Sequence, residues 1–339
     1  MKRAPAHAGR LSPWERLAFA VIFALMVAFV IIVTVSAAHA REPAARQFGV
    51  GGSTPPGSSS ERHSPGRMAA RPRARPRSDA RLIPHGRARA GAAGASELAS
   101  WDAQLANALR PVLQQQTGNL AVGVIDRSTG ATALYRASLH VQAASIAKPD
   151  ILAALLLQHQ QDGIALSQED KADAAAMIEQ SDDDAAAAVS EGVGGADGVA
   201  AANAVLRLTH TIPGTADSWG LTSTTVADQL RLLTDLVAPS SPLTAASRRY
   251  ELGLMEQVNA DQAWGVPAAA SPGTRPAVKN GWLPDPHLWV INSIGVVHRD
   301  GQELLIAVLS DDQPSEAAGI QQVQQAAVAA AEAVTGLPA

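Results

Sequence analysis

Ser145 and Lys148 stand three residues apart at the start of an apolar run that continues to Leu157. On a helix, residues three apart share a face, so this hydroxyl and this amine can meet. A serine hydroxyl becomes a nucleophile when a neighbouring base takes its proton. A lysine serves as that base when burial or a nearby positive charge lowers its pKa. Alone, the pattern fits equally a helix that starts at a serine and happens to carry a lysine. The chain has only four lysines (Lys2, Lys148, Lys171, Lys279) among its 27 basic residues. Arginine carries the plain positive charge, so a lysine marks a place that wants a compact or titratable amine.

Two later stretches carry chemistry of the same kind. Ser181-Asp182-Asp183-Asp184 follows an apolar helix end at Met177-Ile178, and three acids in a row also suit a solvated helix start. Ala277-Val278-Lys279-Asn280-Gly281-Trp282 is a short strand with a lysine projecting from it. Pro149 fits only the first turn of a helix, which places Ser145 at the very N-terminus, where free N–H groups favour a developing oxyanion.

The elements around these residues can be read from periodicity. Residues 96–116 show helical spacing, and Asn119–Asp126 with Ala131–Tyr135 form a hairpin across Ser128-Thr129-Gly130. The Ser145 helix follows. The chain then reads mostly helical to about Gly253, with caps at Ser167, Thr225 and Thr244. Late strands at Leu288–Val297 and Glu303–Ser310 join through Arg299-Asp300-Gly301, and a terminal helix runs from Ser315 through Val334.

The N-terminal part is different in kind. Residues 1–16 are basic, and 17–38 hold an uncharged run of bilayer length, followed by a small-residue cleavage pattern at Ala38-His39-Ala40. This predicts an extracytoplasmic protein, membrane-anchored by a single N-terminal segment, or secreted if cleaved after Ala40. Residues 41–95 are a basic Pro/Arg/Gly/Ser stretch expected to be a disordered linker. Residues 1–95 carry 15 Lys+Arg against 4 Asp+Glu, whereas 96–339 carry 12 against 27. An acidic globular part argues against nucleic acid as a partner. Cysteine is absent, which excludes disulfides and thiolate metal sites, and the five histidines after residue 95 are scattered. No cofactor or metal is expected, and the domain is expected as a monomer.

Ser145-x-x-Lys148, Ser181-Asp182-Asp183 and Lys279-Asn280-Gly281, in that order, resemble the motifs of the penicillin-recognising serine hydrolases. The class A β-lactamases are the nearest in pattern. Met177-Ile178 and the Trp219-Gly220-Leu221-Thr222 stretch add to the likeness. The resemblance covers roughly residues 96–337. It implies an α+β fold: a five-stranded antiparallel sheet flanked by helices, with an all-helical lobe at about 140–270 and a cleft between. It further implies that Ser145 attacks an amide or lactam carbonyl, that Lys148 takes its proton, and that Ser181 relays a proton to the leaving nitrogen. Lys279 would supply positive field, and the backbone N–H groups of Ser145 and Trp282 would form the oxyanion hole. Asp183, Asn280, Gly281 and Trp282 would contact the substrate, a β-lactam or a D-Ala-D-Ala-type wall peptide.

Three departures stand out. Asp183 replaces an asparagine, and a carboxylate there favours the ammonium form of Lys148. Asn280 replaces a threonine or serine hydroxyl, leaving an amide to donate to a substrate carboxylate. The loop around Pro213 has no glutamate to activate water for release of the acyl-enzyme; Asp217 is its only acid. The sequence therefore predicts a Ser145 acyl-enzyme that deacylates slowly. The alternative is a catalytically silent module that holds wall peptide in the same cleft.

Overall fold

The computed structural model describes residues 87–115, 117–285 and 288–336. The basic N-terminus, the expected span at 17–38 and most of the expected linker lie outside the described residues. Among the described residues no helix is long and apolar enough to cross a membrane. The first helix, α1 (Arg87–Ala108), begins ahead of the expected boundary near residue 96. Its leading residues are mostly Ala, the best helix former, and Arg, a good one. The expected helix over 96–116 breaks at Leu109 and resumes as α2 (Arg110–Gln115), because Pro111 has no N–H to continue the ladder.

Five strands form one antiparallel sheet: β1 (Asn119–Asp126), β2 (Thr132–Tyr135), β5 (Ala277–Asp285), β6 (Leu288–Arg299) and β7 (Gln302–Gln313). Their order is β2-β1-β7-β6-β5, so β5, which carries Lys279, is an edge strand. Its partners place Lys279 opposite Ile294, Gly281 opposite Asn292 and Trp282 opposite Ile291. The β6–β7 turn uses Asp300 (φ 51°) and Gly301 (φ 84°), the left-handed pair that matches strand twist in a two-residue hairpin. On the back of the sheet α9 (Glu316–Thr335) and α1 cover Val122, Val124, Leu304, Ile306 and Val308.

The helical lobe lies between the hairpin and the late strands. A 3-10 turn (Ala144–Ile146) leads into α3 (Ala147–Asp162), followed by α4 (Gln168–Glu179), α5 (Asp183–Gly192) and α6 (Gly195–Leu206). After a loop and the short β4 (Ser223–Thr224), which pairs with β3 (Val141–Gln142), come α7 (Val226–Val237) and α8 (Ala245–Met255). The hydroxyls of Ser167, Thr225 and Thr244 accept the cap bonds of α4, α7 and α8. Every residue of α3 from Ala147 to Leu157 is buried, so this helix is the axis of the lobe and fixes the first two motif residues to its core.

One feature of that core is polar. Asp150 on α3 and Glu251 on α8 are fully buried, and both oxygens of Glu251 lack a hydrogen-bond partner among the described residues. Burial pushes Asp150 up to about 7, opposed by its bond from Asn203 on α6 and reinforced by Asp228 on α7. Burial, with Asp150 adding to it, raises Glu251 well above its ordinary value. A carboxyl raised on folding binds more protons in the native state than in the unfolded chain. Stability therefore falls as pH rises through the interval between the two pKa values. Glu251→Gln removes one such group. Its melting temperature should exceed that of the unsubstituted protein by a margin that widens as pH rises above the ordinary carboxyl range. Thermal melts at rising pH check this, and parallel curves would show that Glu251 does not titrate.

Candidate active site

The 3-10 turn that holds Ser145 is positioned by two separate contacts. Ala144 before it is left-handed (φ 49°), a conformation that costs a non-glycine residue on the order of 1–3 kcal/mol and persists where the surroundings impose it. Asn292 on β6 imposes it from below. Its Nδ2 donates to Gln142 O (2.8 Å) and Ala143 O (3.1 Å), while its Oδ1 accepts from Ser310 N (3.0 Å). The edge strand closes the other side. A methyl group at Gly281 would lie 2.7 Å from Ala143 O and 2.9 Å from the backbone nitrogens of Ser145 and Ile146.

Ser181 arrives from the corner between two further helices of the same lobe. Helix α4 ends in bonds from Gln180 N and Asp182 N to Ala176 O, with Ser181 itself left-handed at φ 58°. Asp182 then caps α5 through Ala185 N (2.8 Å), so α4 and α5 meet with Ser181 at the corner. The run of acids is indeed a helix start, and it does a second thing as well.

Lys148 is fully buried, and its Nζ donates to Ser181 O (2.7 Å), Ser181 Oγ (3.0 Å) and Asp183 Oδ1 (2.7 Å). The Trp219 ring centroid lies 4.7 Å from the same nitrogen. An ammonium has three protons, and these three bonds use them all, leaving none directed at Ser145. Burial lowers the pKa of Lys148, whereas the bond and charge of Asp183, and the charge of Asp182, oppose the shift. Asp183 is thus turned to the lysine rather than away from it. Lys279 is also fully buried; burial first, then the charge of Lys148, brings it to about 7 against a raising influence from Asp183.

These groups border a cleft of about 480 Å³ lined by Ser145, Asp183, Ser218, Trp219, Trp282 and Leu283, among others. Ser145, Asp183 and Trp282 share its wall, and Lys148 and Ser181 meet Asp183 behind it. Gly281 packs against the Ser145 turn. Asn280 is not part of the wall. Its side chain is fully buried, with both amide protons given to Gln262 O (2.6 Å) and Trp264 O (2.9 Å). The expected amide donor to a substrate carboxylate is therefore corrected: Asn280 pins the loop ahead of β5 to the edge strand. The loop after α6 brings Ser218, Trp219, Gly220 and Leu221 to the cleft. The side chain of Asp217 lies outside the described ones. Among the described residues no group of three or more His, Asp or Glu side chains is placed to hold a metal ion.

The family model described as "Beta-lactamase enzyme family" matches residues 171–334, a stretch that includes Ser181, Asp183 and Lys279. The chain is β-lactamase-like. Solved structures agree on the fold of this β-lactamase-like domain. A representative class A β-lactamase from Bacteroides cellulosilyticus DSM 14838 superposes with a TM-score of 0.62 at 14% identity, covering 70% of this chain and 99% of that one. A β-lactamase from Xanthomonas campestris pv. campestris gives 0.61 at 16% identity, over 69% and 98%. A point mutant of PBP-A, in an acyl-enzyme complex with penicillin G, gives 0.59 at 20% identity, over 69% and 97%. No curated protein matches the chain by sequence.

Proposed function

We propose that the β-lactamase-like domain is an exported serine hydrolase that forms an acyl-enzyme at Ser145 with a β-lactam or a D-Ala-D-Ala-type amide and releases it slowly. The observation that carries this reading is the buried amine of Lys148, bonded to Ser181 Oγ at 3.0 Å beside a cleft whose wall holds Ser145. In this reading Lys148 reacts as the neutral amine, the form that its burial favours against the pull of Asp183. That amine takes the proton of Ser145 as Oγ bonds to the carbonyl carbon. The oxyanion is received by the N–H groups of Ser145 and Trp282, and Ser181 Oγ passes a proton to the departing nitrogen. Water must then cleave the ester, and the described side chains of the 208–225 loop offer no carboxylate to activate it. Export would follow from the 17–38 segment, acting as an anchor or as a leader cut after Ala40.

A second reading has one observation in its favour. All three protons of Lys148 are held by Ser181 and Asp183, the arrangement expected of a cleft that binds wall peptide without reacting. A fluorescent penicillin distinguishes the two. The acyl-enzyme reading expects one adduct per chain, mapped to Ser145 by peptide mass spectrometry, and a fast burst before a slow steady rate. Absence of label on folded protein supports the silent module, and fast steady turnover refutes slow release.

A further inference from the structure

Among the residues that line this cleft the one acidic or basic side chain is a carboxylate, Asp183. Both lysines of the site are fully buried, whereas the Asp183 side chain is 78% exposed. Its Oδ1 is engaged by Lys148, and its Oδ2 makes no hydrogen bond among the described residues. Asp182 and Asp184, on either side at the start of α5, are exposed as well. The rest of the wall is apolar or aromatic, with the Trp219 indole among its side chains and no arginine or histidine; the Trp282 indole turns instead to Trp264, 6.1 Å away between ring centroids. Asn280, the group that would have welcomed a carboxylate, has both amide protons committed elsewhere.

We propose that the cleft selects acyl compounds bearing an ammonium group, received by Asp183 Oδ2 beside the indole of Trp219, and disfavours acyl groups that end in a carboxylate. The inference rests on the proposed function only in placing the substrate's acyl group in this cleft; its charge preference holds whether or not Ser145 reacts. A carboxylate oxygen accepts and cannot donate, so it rewards an N–H-bearing cation and repels an anion. An indole face adds attraction for the same cation and none for the anion. Position matters too. Asp183 is tied to Lys148, so a cation bound there sits beside the group that must lose a proton before Ser145 can react.

The test separates binding from reaction. Three penicillins with one nucleus carry side chains ending in an amine, its acetylated form, or a carboxylate. Their affinities for Ser145→Ala protein are read from tryptophan fluorescence, and their acylation rates on the unsubstituted full chain from intact mass. The amine is expected to bind about tenfold more tightly than its acetylated form, the size of one charge-assisted hydrogen bond. The carboxylate should bind more weakly than either. Asp183→Asn, in the same Ser145→Ala background, should bring the amine-to-acetyl ratio close to one, whereas Asp184→Asn should leave it intact. Equal affinities for all three compounds, or a preference that survives Asp183→Asn, overturns the inference. Absence of acylation by every compound, with the binding preference present, counts against the hydrolase reading alone.

Discussion

Lys148→Met is expected to slow acylation of Ser145 by about 10²–10⁴-fold, the usual share of a positioned base, without lowering the melting temperature. Methionine is unbranched and of similar length, so it occupies the same channel beneath Trp219. Breaking a buried ion pair usually costs about 3–5 kcal/mol because the surviving charge stays buried and alone. Here the survivor does not. The Asp183 side chain is 78% exposed, so water replaces the lysine as its partner, and the buried charge itself is gone. Ser181 loses a donor, but it too is only half-buried. The two readouts, adduct formation by intact mass and thermal unfolding, should therefore separate. Labelling at the unsubstituted rate would remove Lys148 from the chemistry, and a large fall in melting temperature would make its role structural. The pH dependence follows with its sign. Acylation needs the neutral amine, so it rises with pH through the pKa of Lys148. Asp183 opposes the downward shift that burial imposes, so Asp183→Asn moves that rising limb to lower pH.

The sequence made the scaffold of this site legible and left its wiring obscure, for a physical reason. Periodicity and turn chemistry are local, so the hairpin at 119–135, the Asp300-Gly301 turn and the caps at Ser167, Thr225 and Thr244 could be read directly. The order of the three motifs then pointed to the fold. Side-chain partners depend on what else arrives. Asn280 reads as a donor into the cleft, but the 262–264 carbonyls sit on its side of the edge strand and take both protons. Asn292 carries no motif, and yet it holds the Ser145 turn through two carbonyls 149 and 150 residues away. Asp150, one residue past Pro149, has the look of an acid favoured at a helix start, and is instead sealed in the lobe beside Glu251. The pairing of Asp183 with Lys148 is the exception. Two opposite charges at motif positions that share a site announce their contact in the residue types alone.

Gly281→Ala is expected to cost about 10²-fold in acylation and about 1–3 kcal/mol in stability, from a single added methyl group. The strain is not conformational, for Gly281 lies within β5 and its φ is not left-handed. It comes from what the methyl would touch: Ala143 O at 2.7 Å and the nitrogens of Ser145 and Ile146 at 2.9 Å, closer than real Cβ contacts come. All three are backbone atoms, so no side chain can swing aside, and β5 or the Ser145 turn must shift. Asn292 resists movement of the turn, and Asn280 resists movement of the strand through its two bonds to the 262–264 segment. The displacement is therefore concentrated between Ser145 and Trp282, whose N–H groups converge on one oxygen in the reaction proposed above. A misplacement near 1 Å costs about 10²-fold in a site of this kind. Burst kinetics with a reporter β-lactam should show slower acylation with release little changed, since the methyl reaches the oxyanion donors and not the 208–225 loop. An unaltered burst rate would mean that strand and turn are not clamped, and that the second oxyanion donor comes from elsewhere than β5.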